Sequence, residues 1–180
     1  MPASVSVLFV CLGNICRSPM AEAVFRDLVA RRPPTTVAFD TIDSCGTAAY
    51  HVGASPDPRT SATLRRHGIT TYRHAARQVA RADFTTFDYI FAMDPTNLAD
   101  LLQLRARVAH DNHNNSGALA EVRLLGDFQP GVPVAAPAGD GQPVPDPYYG
   151  GDDGFEQIYH QIVGHAEAFL HHLESRSRTA

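Results

Sequence analysis

The stretch 7-VLFVCLGNICRSPMAEAVF-25 changes its chemical character twice. It begins with an apolar, valine-rich run, which is typical of a β-strand buried on both faces. After Pro19, a residue favoured in the first turn of a helix, apolar side chains recur at helical spacing. Between the two lies a loop, Cys11 to Ser18, that contains two cysteines and an arginine. The stretch therefore predicts a strand, a loop with reactive side chains, and a helix.

The rest of the chain repeats this alternation of strands and helices. Apolar runs and turn residues predict strands at 5–10, 37–42, 88–93 and 121–125, and helices from Pro19, over 59–67, from Pro95 and over 154–173. The pattern predicts an α/β fold, a three-layer sandwich in which a four-stranded parallel sheet is flanked by helices on both faces. Ligands of such sheets bind beyond the carboxyl ends of the strands, where the loop after Cys11 lies. The length suits a single domain, 1–180, in which the stretch 126–145 is rich in proline and glycine.

Composition excludes several classes of function. The 15 basic and 19 acidic residues give a net charge of −4 without a basic stripe, so no nucleic-acid partner is expected. No apolar run is long enough for a membrane span, and none has the flanks of a signal peptide. Three cysteines are too few for a secreted disulfide framework, which predicts a cytoplasmic protein. The nine histidines show no metal-ligand spacing such as His-Glu-x-x-His, so neither a metal nor another cofactor is expected.

The loop from Cys11 to Ser18 has the chemistry of an anion site. A loop between a buried strand and a helix directs several backbone N–H groups at one point, and the helix dipole adds to their attraction for an anion. Arg17 can bind two oxygens of a phosphate-like group, and Gly13 permits close approach of the backbone. A helix N-terminus and a nearby arginine favour the thiolate form of a cysteine, and Ser18 could donate to that thiolate. The alternative is that Cys11 is a small apolar residue that ends a strand.

The full string 10-VCLGNICRSPMAE-22 resembles the active-site loop of the low-molecular-weight protein tyrosine phosphatases. Other strings of that family follow in the expected order and extend the resemblance over nearly the whole chain. They are 43-DS-44, 55-SPDPR-59, 76-ARQV-79, 83-DFTTFDYIFAMD-94 and 146-DPYYGG-151. The stretch before Asp146 is longer than the usual connection in the family, so the resemblance implies a loop insertion at 126–145.

The resemblance implies roles for the loop. Cys11 would be the nucleophile that forms a phospho-cysteine intermediate, and Arg17 would hold the phosphate oxygens. The substrate-binding residues of the loop would be Leu12, Gly13, Asn14, Ile15, Cys16 and Ser18. Asn14 would also brace the loop with the help of Ser44 and His74. A lone histidine such as His74 is otherwise most often a surface imidazole.

The resemblance also implies a general acid, Asp146. It would protonate the leaving oxygen and then deprotonate the water that hydrolyses the phospho-cysteine. Asp146 stands between two prolines that stiffen its loop, although aspartate is also an ordinary turn residue. Tyr148 and Tyr149 could line a deep slot that suits phosphotyrosine, or they could simply pack in a turn. Phosphorylation of these two tyrosines, as occurs in the family, is a further alternative.

Two remaining residues concern regulation and substrate choice. The family suggests a reversible disulfide between Cys11 and Cys16, for which the alternative is core packing of Cys16. Tyr50 belongs to a rim segment that varies within the family and would contact substrate. The expected partners are phosphotyrosine-containing proteins, with small aryl phosphates as further substrates and phosphate-like oxyanions as inhibitors.

Three other functions compete with this one. Arsenate reductases of this fold pass a disulfide to a downstream cysteine pair, but no cysteine follows Cys45. Phosphoarginine phosphatases carry threonine where this chain has Ile15. A non-catalytic phosphotyrosine-binding module would lack the nucleophile or the acid, whereas Cys11 and Asp146 are both present. The prediction is therefore a metal-independent protein tyrosine phosphatase.

Overall fold

The computed structural model describes residues 4–33, 37–112, 117–129, 132 and 137–179. At its centre is a four-stranded sheet in which all neighbouring strands are parallel. The strands are β1 (Ser4–Cys11), β2 (Ala38–Gly46), β3 (Tyr89–Ala92) and β4 (Glu121–Leu124), in the spatial order β2-β1-β3-β4. The first strand is therefore central, which is why its sequence is apolar on both faces.

The described residues also form five α-helices and one short 3₁₀ helix, of which the last α-helix and the 3₁₀ helix follow the last strand. The α-helices are α1 (Arg17–Arg31), α2 (Pro58–Arg66), α3 (Asp83–Thr86), α4 (Pro95–Asp111) and α5 (Asp152–Thr179), and the 3₁₀ helix covers Leu125–Phe128. Within the described part of the chain, no helix is long and apolar enough to cross a membrane.

The sheet separates two hydrophobic cores. On one face, Phe9 of β1 and Phe91 of β3 pack with residues of α1 and α5, among them Phe25 and Phe169. On the other face, alternate residues of the same strands, such as Leu8, pack against α3 and α4. The predicted three-layer α/β sandwich with a four-stranded parallel sheet is confirmed.

Several predicted boundaries were wrong. Strand β2 was predicted to end at Ile42 but extends to Gly46, because Asp43 to Gly46 continue the pairing with β1. These polar and small residues resemble a loop in sequence. Helix α1 begins at Arg17, before Pro19, and α5 extends beyond the predicted 154–173 in both directions. Helix α3 and the 3₁₀ helix were not predicted.

The stretch 126–145 is not loop throughout. Its first residues, Gly126 to Phe128, belong to the 3₁₀ helix. The buried Asp127 carboxylate then accepts hydrogen bonds from the backbone N–H groups of Gly139 and Gly141, so that both ends of the stretch are held together. Gly126 is required there, because a Cβ would lie 2.2 Å from the Gln142 carbonyl oxygen. Residues 130, 131 and 133–136 lie outside the described residues.

Candidate active site

The loop after β1 is held in a conformation that asparagine tolerates better than most residues. Asn14 has a φ of 56°, in the left-handed region. The Asn14 side chain is buried, and its Nδ2 group donates to Ser18 Oγ at 2.8 Å and to Ser44 Oγ at 3.0 Å. Its Oδ1 accepts from the Arg77 backbone N–H at 3.0 Å and lies 2.7 Å from His74 Nε2. Since that amide oxygen can only accept, His74 Nε2 carries the proton in this contact.

A buried carboxylate that was not predicted from the sequence, Glu22, lies behind this network. Glu22 Oε2 accepts hydrogen bonds of 2.7 Å from the hydroxyl groups of Ser44 and Tyr72, while Arg26 pairs with Oε1 at 2.8 Å. Burial and the Glu22 carboxylate raise the pKa of Tyr72 well above its usual range. Ser44 Oγ therefore donates to Glu22 and accepts from Asn14. These two hydrogen bonds fix the orientation of the Ser44 and Asn14 side chains.

Arg17 is 2% exposed and is held by acceptors on three sides. Its Nη1 group donates to Asp94 Oδ2 at 2.5 Å and to the Val144 carbonyl oxygen at 3.1 Å, and Nη2 lies 3.5 Å from Asp146 Oδ2. Asp94 was predicted only as the N-cap of α4, and it has that role too, since its Oδ1 accepts a hydrogen bond from the Asn97 backbone N–H. One carboxylate thus caps a helix and aligns the buried guanidinium.

The predicted nucleophile, Cys11, is the last residue of β1 and has Ser18 beside it. Cys11 Sγ lies 3.1 Å from Ser18 Oγ. The Ser18 hydroxyl donates to the Cys45 carbonyl oxygen at 3.2 Å and receives a hydrogen bond from Asn14 Nδ2. Rotation of this single hydroxyl proton would let Ser18 donate to a thiolate at Cys11 instead.

A cavity of about 300 Å³ opens over this loop. It is lined by Cys11, Leu12, Gly13, Ile15, Cys16, Arg17, Tyr50, His51, Asp146, Tyr148 and Tyr149. Tyr50 and Tyr149 stand at its edge, 76% and 95% exposed. Asn14, Ser18, Ser44 and His74 do not line the cavity; they form the hydrogen-bond network behind the loop. The structure therefore brings all the sequence-predicted residues to one site, in two layers.

A single arginine on α2 links the two sides of the cavity. Arg59 makes two hydrogen bonds to the Asp57 carboxylate and donates to the Tyr148 carbonyl oxygen at 3.1 Å. Its guanidinium lies over the rings of Tyr148 and Phe155, 5.5 Å and 4.6 Å from their centroids. Asp57 in turn donates its backbone N–H to the Ile15 carbonyl oxygen at 2.8 Å. The hydrogen bonds from Arg59 lower the pKa of the Asp57 carboxyl group, so Asp57 stays ionised in its ion pair with Arg59.

Comparisons with known proteins agree with this geometry. A family model described as low molecular weight phosphotyrosine protein phosphatase matches residues 6–179. The chain belongs to this family. It is 48% identical to the family member of Schizosaccharomyces pombe over 94% of this chain and 97% of the relative. It is 43% identical to the human one over 93% of this chain and 95% of the relative.

Solved structures with the same fold are also similar to this chain in sequence. A protein tyrosine phosphatase from Entamoeba histolytica superposes with a TM-score of 0.72 at 31% identity, covering 95% of this chain and 97% of its own. A Drosophila arginine phosphatase superposes with a TM-score of 0.76 at 34% identity, covering 94% and 98%. The low molecular weight phosphotyrosine phosphatases are enzymes, and a cysteine nucleophile is typical of them.

The three thiols of this phosphatase differ in their surroundings. Burial, with a further contribution from the Asp57 carboxylate, raises the pKa of Cys16 to about 12. Burial also raises the pKa of Cys45, on the sheet face opposite the cavity loop, well above its ordinary value. At neutral pH both side chains are therefore thiols, and neither is suited to be the nucleophile that attacks a phosphate group.

Proposed function

We propose that this enzyme hydrolyses phosphotyrosine in proteins, and small aryl phosphates, through a phospho-cysteine formed on Cys11. The observation that carries the proposal is the arrangement of three groups around one cavity. A thiol lies at the end of a strand, a buried arginine lies at the first turn of the next helix, and a half-exposed carboxylate, Asp146, faces that arginine. This set supplies a nucleophile, an anion site and a proton donor.

In the first step, the phosphate dianion occupies the loop and binds the backbone N–H groups and Arg17. The Cys11 thiolate attacks phosphorus opposite the aryl oxygen, so that an S–P bond forms while the P–O bond breaks. Asp146 gives its proton to the departing aryl oxygen. The phenol leaves as a neutral molecule, and the phosphoryl group remains on Cys11.

In the second step, Asp146, now a carboxylate, accepts a proton from a water molecule whose oxygen attacks phosphorus. The S–P bond breaks, and the electron pair returns to Cys11 as a thiolate. The Ser18 hydroxyl, 3.1 Å away, stabilises that thiolate. Inorganic phosphate then leaves, and phosphate-like oxyanions that occupy the same loop inhibit the enzyme.

The lining of the cavity favours an aryl group. The rings of Tyr148 and Tyr149 stand beside the loop with their centroids 4.9 Å apart, and Tyr50 flanks the opening. Leu12 and Ile15 add apolar surface. A phenyl ring can pack against these side chains while its phosphate reaches the loop, whereas the shorter phosphoserine gains little from them.

Three further features belong to the same proposal. The chain acts as one domain, 1–180, in the cytoplasm, with 126–145 as its insertion, and it requires no metal for hydrolysis. Peroxide oxidises the Cys11 thiolate to a sulfenic acid. The Cys16 thiol then condenses with that group, releasing water and forming a disulfide that a cellular thiol can reduce.

The first test compares four proteins for hydrolysis of para-nitrophenyl phosphate and a phosphotyrosine peptide in EDTA. Wild type is expected to turn over both substrates, Cys11→Ser neither. Asp146→Asn should lower kcat by about 10²–10⁴-fold, the usual contribution of a general acid. Asp100→Asn, an exposed aspartate of α4, is the matched control and should match wild type. Full activity of Cys11→Ser would remove the proposed nucleophile.

Phosphoarginine is the second candidate substrate, because a Drosophila arginine phosphatase has the same fold at 34% identity. The apolar Ile15 in the cavity lining favours the aryl substrate. Wild-type kcat/KM should therefore be higher for the phosphotyrosine peptide than for free phosphoarginine. The reverse order would reassign the substrate while leaving the chemistry of Cys11 and Asp146 unchanged.

A further inference from the structure

Three side chains with metal-binding atoms meet where α2 ends beside α5. His67 follows the last residue of α2, and Glu156 and His160 lie one turn apart on α5. Glu156 Oε2 is 2.9 Å from His67 Nε2 and 3.7 Å from His160 Nε2, and one ligand atom from each residue lies within 4.8 Å of the others. The three come from two distant segments, so no local sequence spacing reveals them.

We propose that His67, Glu156 and His160 bind one divalent transition-metal ion, with Zn²⁺ as the reference ion. Zinc bonds to nitrogen and oxygen ligands are about 2.0–2.2 Å long, so tetrahedral geometry separates the ligand atoms by about 3.3 Å. The two separations from Glu156 Oε2, 2.9 Å to His67 Nε2 and 3.7 Å to His160 Nε2, lie on either side of that value. His160 is exposed, which leaves solvent access for a water molecule as the fourth ligand.

Neighbouring residues already hold two of the three ligands in place. The His67 ring stacks on Tyr159, with centroids 3.8 Å apart and planes 11° from parallel. Arg66 binds the other carboxylate oxygen, Glu156 Oε1, at 2.8 Å, so that Oε2 faces the two imidazoles. Orientation of a metal ligand by a second hydrogen bond is common in protein metal sites.

The composition of the cluster selects the class of ion. Two imidazoles and one carboxylate suit Zn²⁺, Co²⁺, Ni²⁺ and Cu²⁺, whereas Mg²⁺ and Ca²⁺ prefer oxygen ligands alone. The guanidinium of Arg66 repels a dication, but it is half-exposed and its charge is partly screened by solvent. The expected site is therefore selective for transition metals and of moderate affinity.

The site is separate from the catalytic cavity, with which it shares no lining residue. Its effect is instead on the packing of helices. A bound ion would join the C-terminal end of α2 to α5 by coordinate bonds. Because such binding requires the folded arrangement of both helices, Zn²⁺ should raise the unfolding temperature.

The test is a Co²⁺ and Zn²⁺ titration of the full chain in the Cys11→Ser background, which removes one thiol of the separate catalytic cavity that could bind metal. We expect one equivalent of Co²⁺ to give visible absorption that Zn²⁺ abolishes and Mg²⁺ does not. His160→Ala and Glu156→Gln should each weaken Zn²⁺ binding by about 10-fold or more, at least the range seen when an orienting residue is lost. His171→Ala, an exposed histidine farther along α5, is the matched control and should bind like its parent.

Melting curves with and without metal give a second readout. At a hundredfold excess over the Kd of the parent, Zn²⁺ should raise the Tm of the parent by about 5–10 °C, and at the same Zn²⁺ concentration the shift in His160→Ala should be about half as large or smaller. Circular dichroism in EDTA verifies that each variant is folded. Zn²⁺ binding of unchanged affinity in both His160→Ala and Glu156→Gln would overturn the proposal, as would a parent protein that gives neither the Co²⁺ absorption nor the shift in Tm.

Discussion

At the scale of single residues, the three thiols should react very differently with iodoacetate. Its carboxylate can enter the anion site in front of Cys11, whereas a pKa of about 12 keeps Cys16 protonated at neutral pH. Burial gives Cys45 the same protection. We expect one equivalent of label at pH 7, located on Cys11 by peptide mass spectrometry and blocked by inorganic phosphate. Cys16 ionises only at a pH near its raised pKa of about 12, so labelling of Cys16 should begin only as the pH approaches that pKa.

The control for this reaction is Cys11→Ser, which should take up no label at pH 7. Rapid labelling of Cys16 in that variant would contradict the assignment of the reactive thiol.

A residue of the site could be predicted from the sequence when its role depends only on its neighbours along the chain. Cys11 and Arg17 bracket a strand-to-helix turn, a context that by itself indicates an anion site. Asp94 and Glu22 were missed as site residues because their partners are remote in sequence. Arg17 lies 77 residues from Asp94, and Tyr72 lies 50 residues from Glu22. Only the fold brings these groups into contact.

At the scale of elements, α2 positions the acid loop, Asp146 to Gly151, through Arg59. Arg59→Lys keeps the charge but loses the planar group that contacts Asp57, the Tyr148 carbonyl and two aromatic rings. We expect kcat for phenyl phosphate to fall by roughly 10-fold, a part of what a general acid contributes. The loss for para-nitrophenyl phosphate should be smaller, since its leaving group needs less protonation. Steady-state kinetics with both substrates measures the difference.

Arg65→Lys, at an exposed position of the same helix, is the matched control and should leave both rates unchanged. Equal losses on the two substrates in Arg59→Lys would instead assign Arg59 to phosphate binding.

Element types were easier to predict than element ends. Apolar periodicity identified all four strands and four of the helices, since burial imposes that pattern. The end of β2 was missed because Asp43 and Ser44 are polar residues whose partners, Arg77 and Glu22, lie elsewhere in the chain. Helix α3 has only four residues, too few for a helical period to be visible.

At the scale of the whole molecule, the core that supports the site is aromatic and is organised around Phe169. This fully buried ring of α5 lies within 4.7–6.0 Å, between centroids, of four others, Phe25, Tyr89, Phe91 and Phe128. It therefore joins α5 to α1, to β3 and to the 3₁₀ helix. Since α5 begins directly after the acid loop, packing at Phe169 also supports one side of the cavity.

Two aromatic substitutions should separate stability from activity. Phe169→Ala should lower the free energy of unfolding by about 3–5 kcal/mol, because it leaves a cavity in a close-packed core. Tyr50→Ala should change it by no more than about 0.5 kcal/mol, as is usual at exposed positions. The effects on KM should be the opposite, since Tyr50 flanks the cavity. Tyr50→Ala should raise KM for a phosphotyrosine peptide, whereas folded Phe169→Ala should keep a KM near that of wild type. Urea unfolding and steady-state kinetics on the same preparations test both halves. A Phe169→Ala protein with the urea midpoint of wild type would show that this ring does not organise the core.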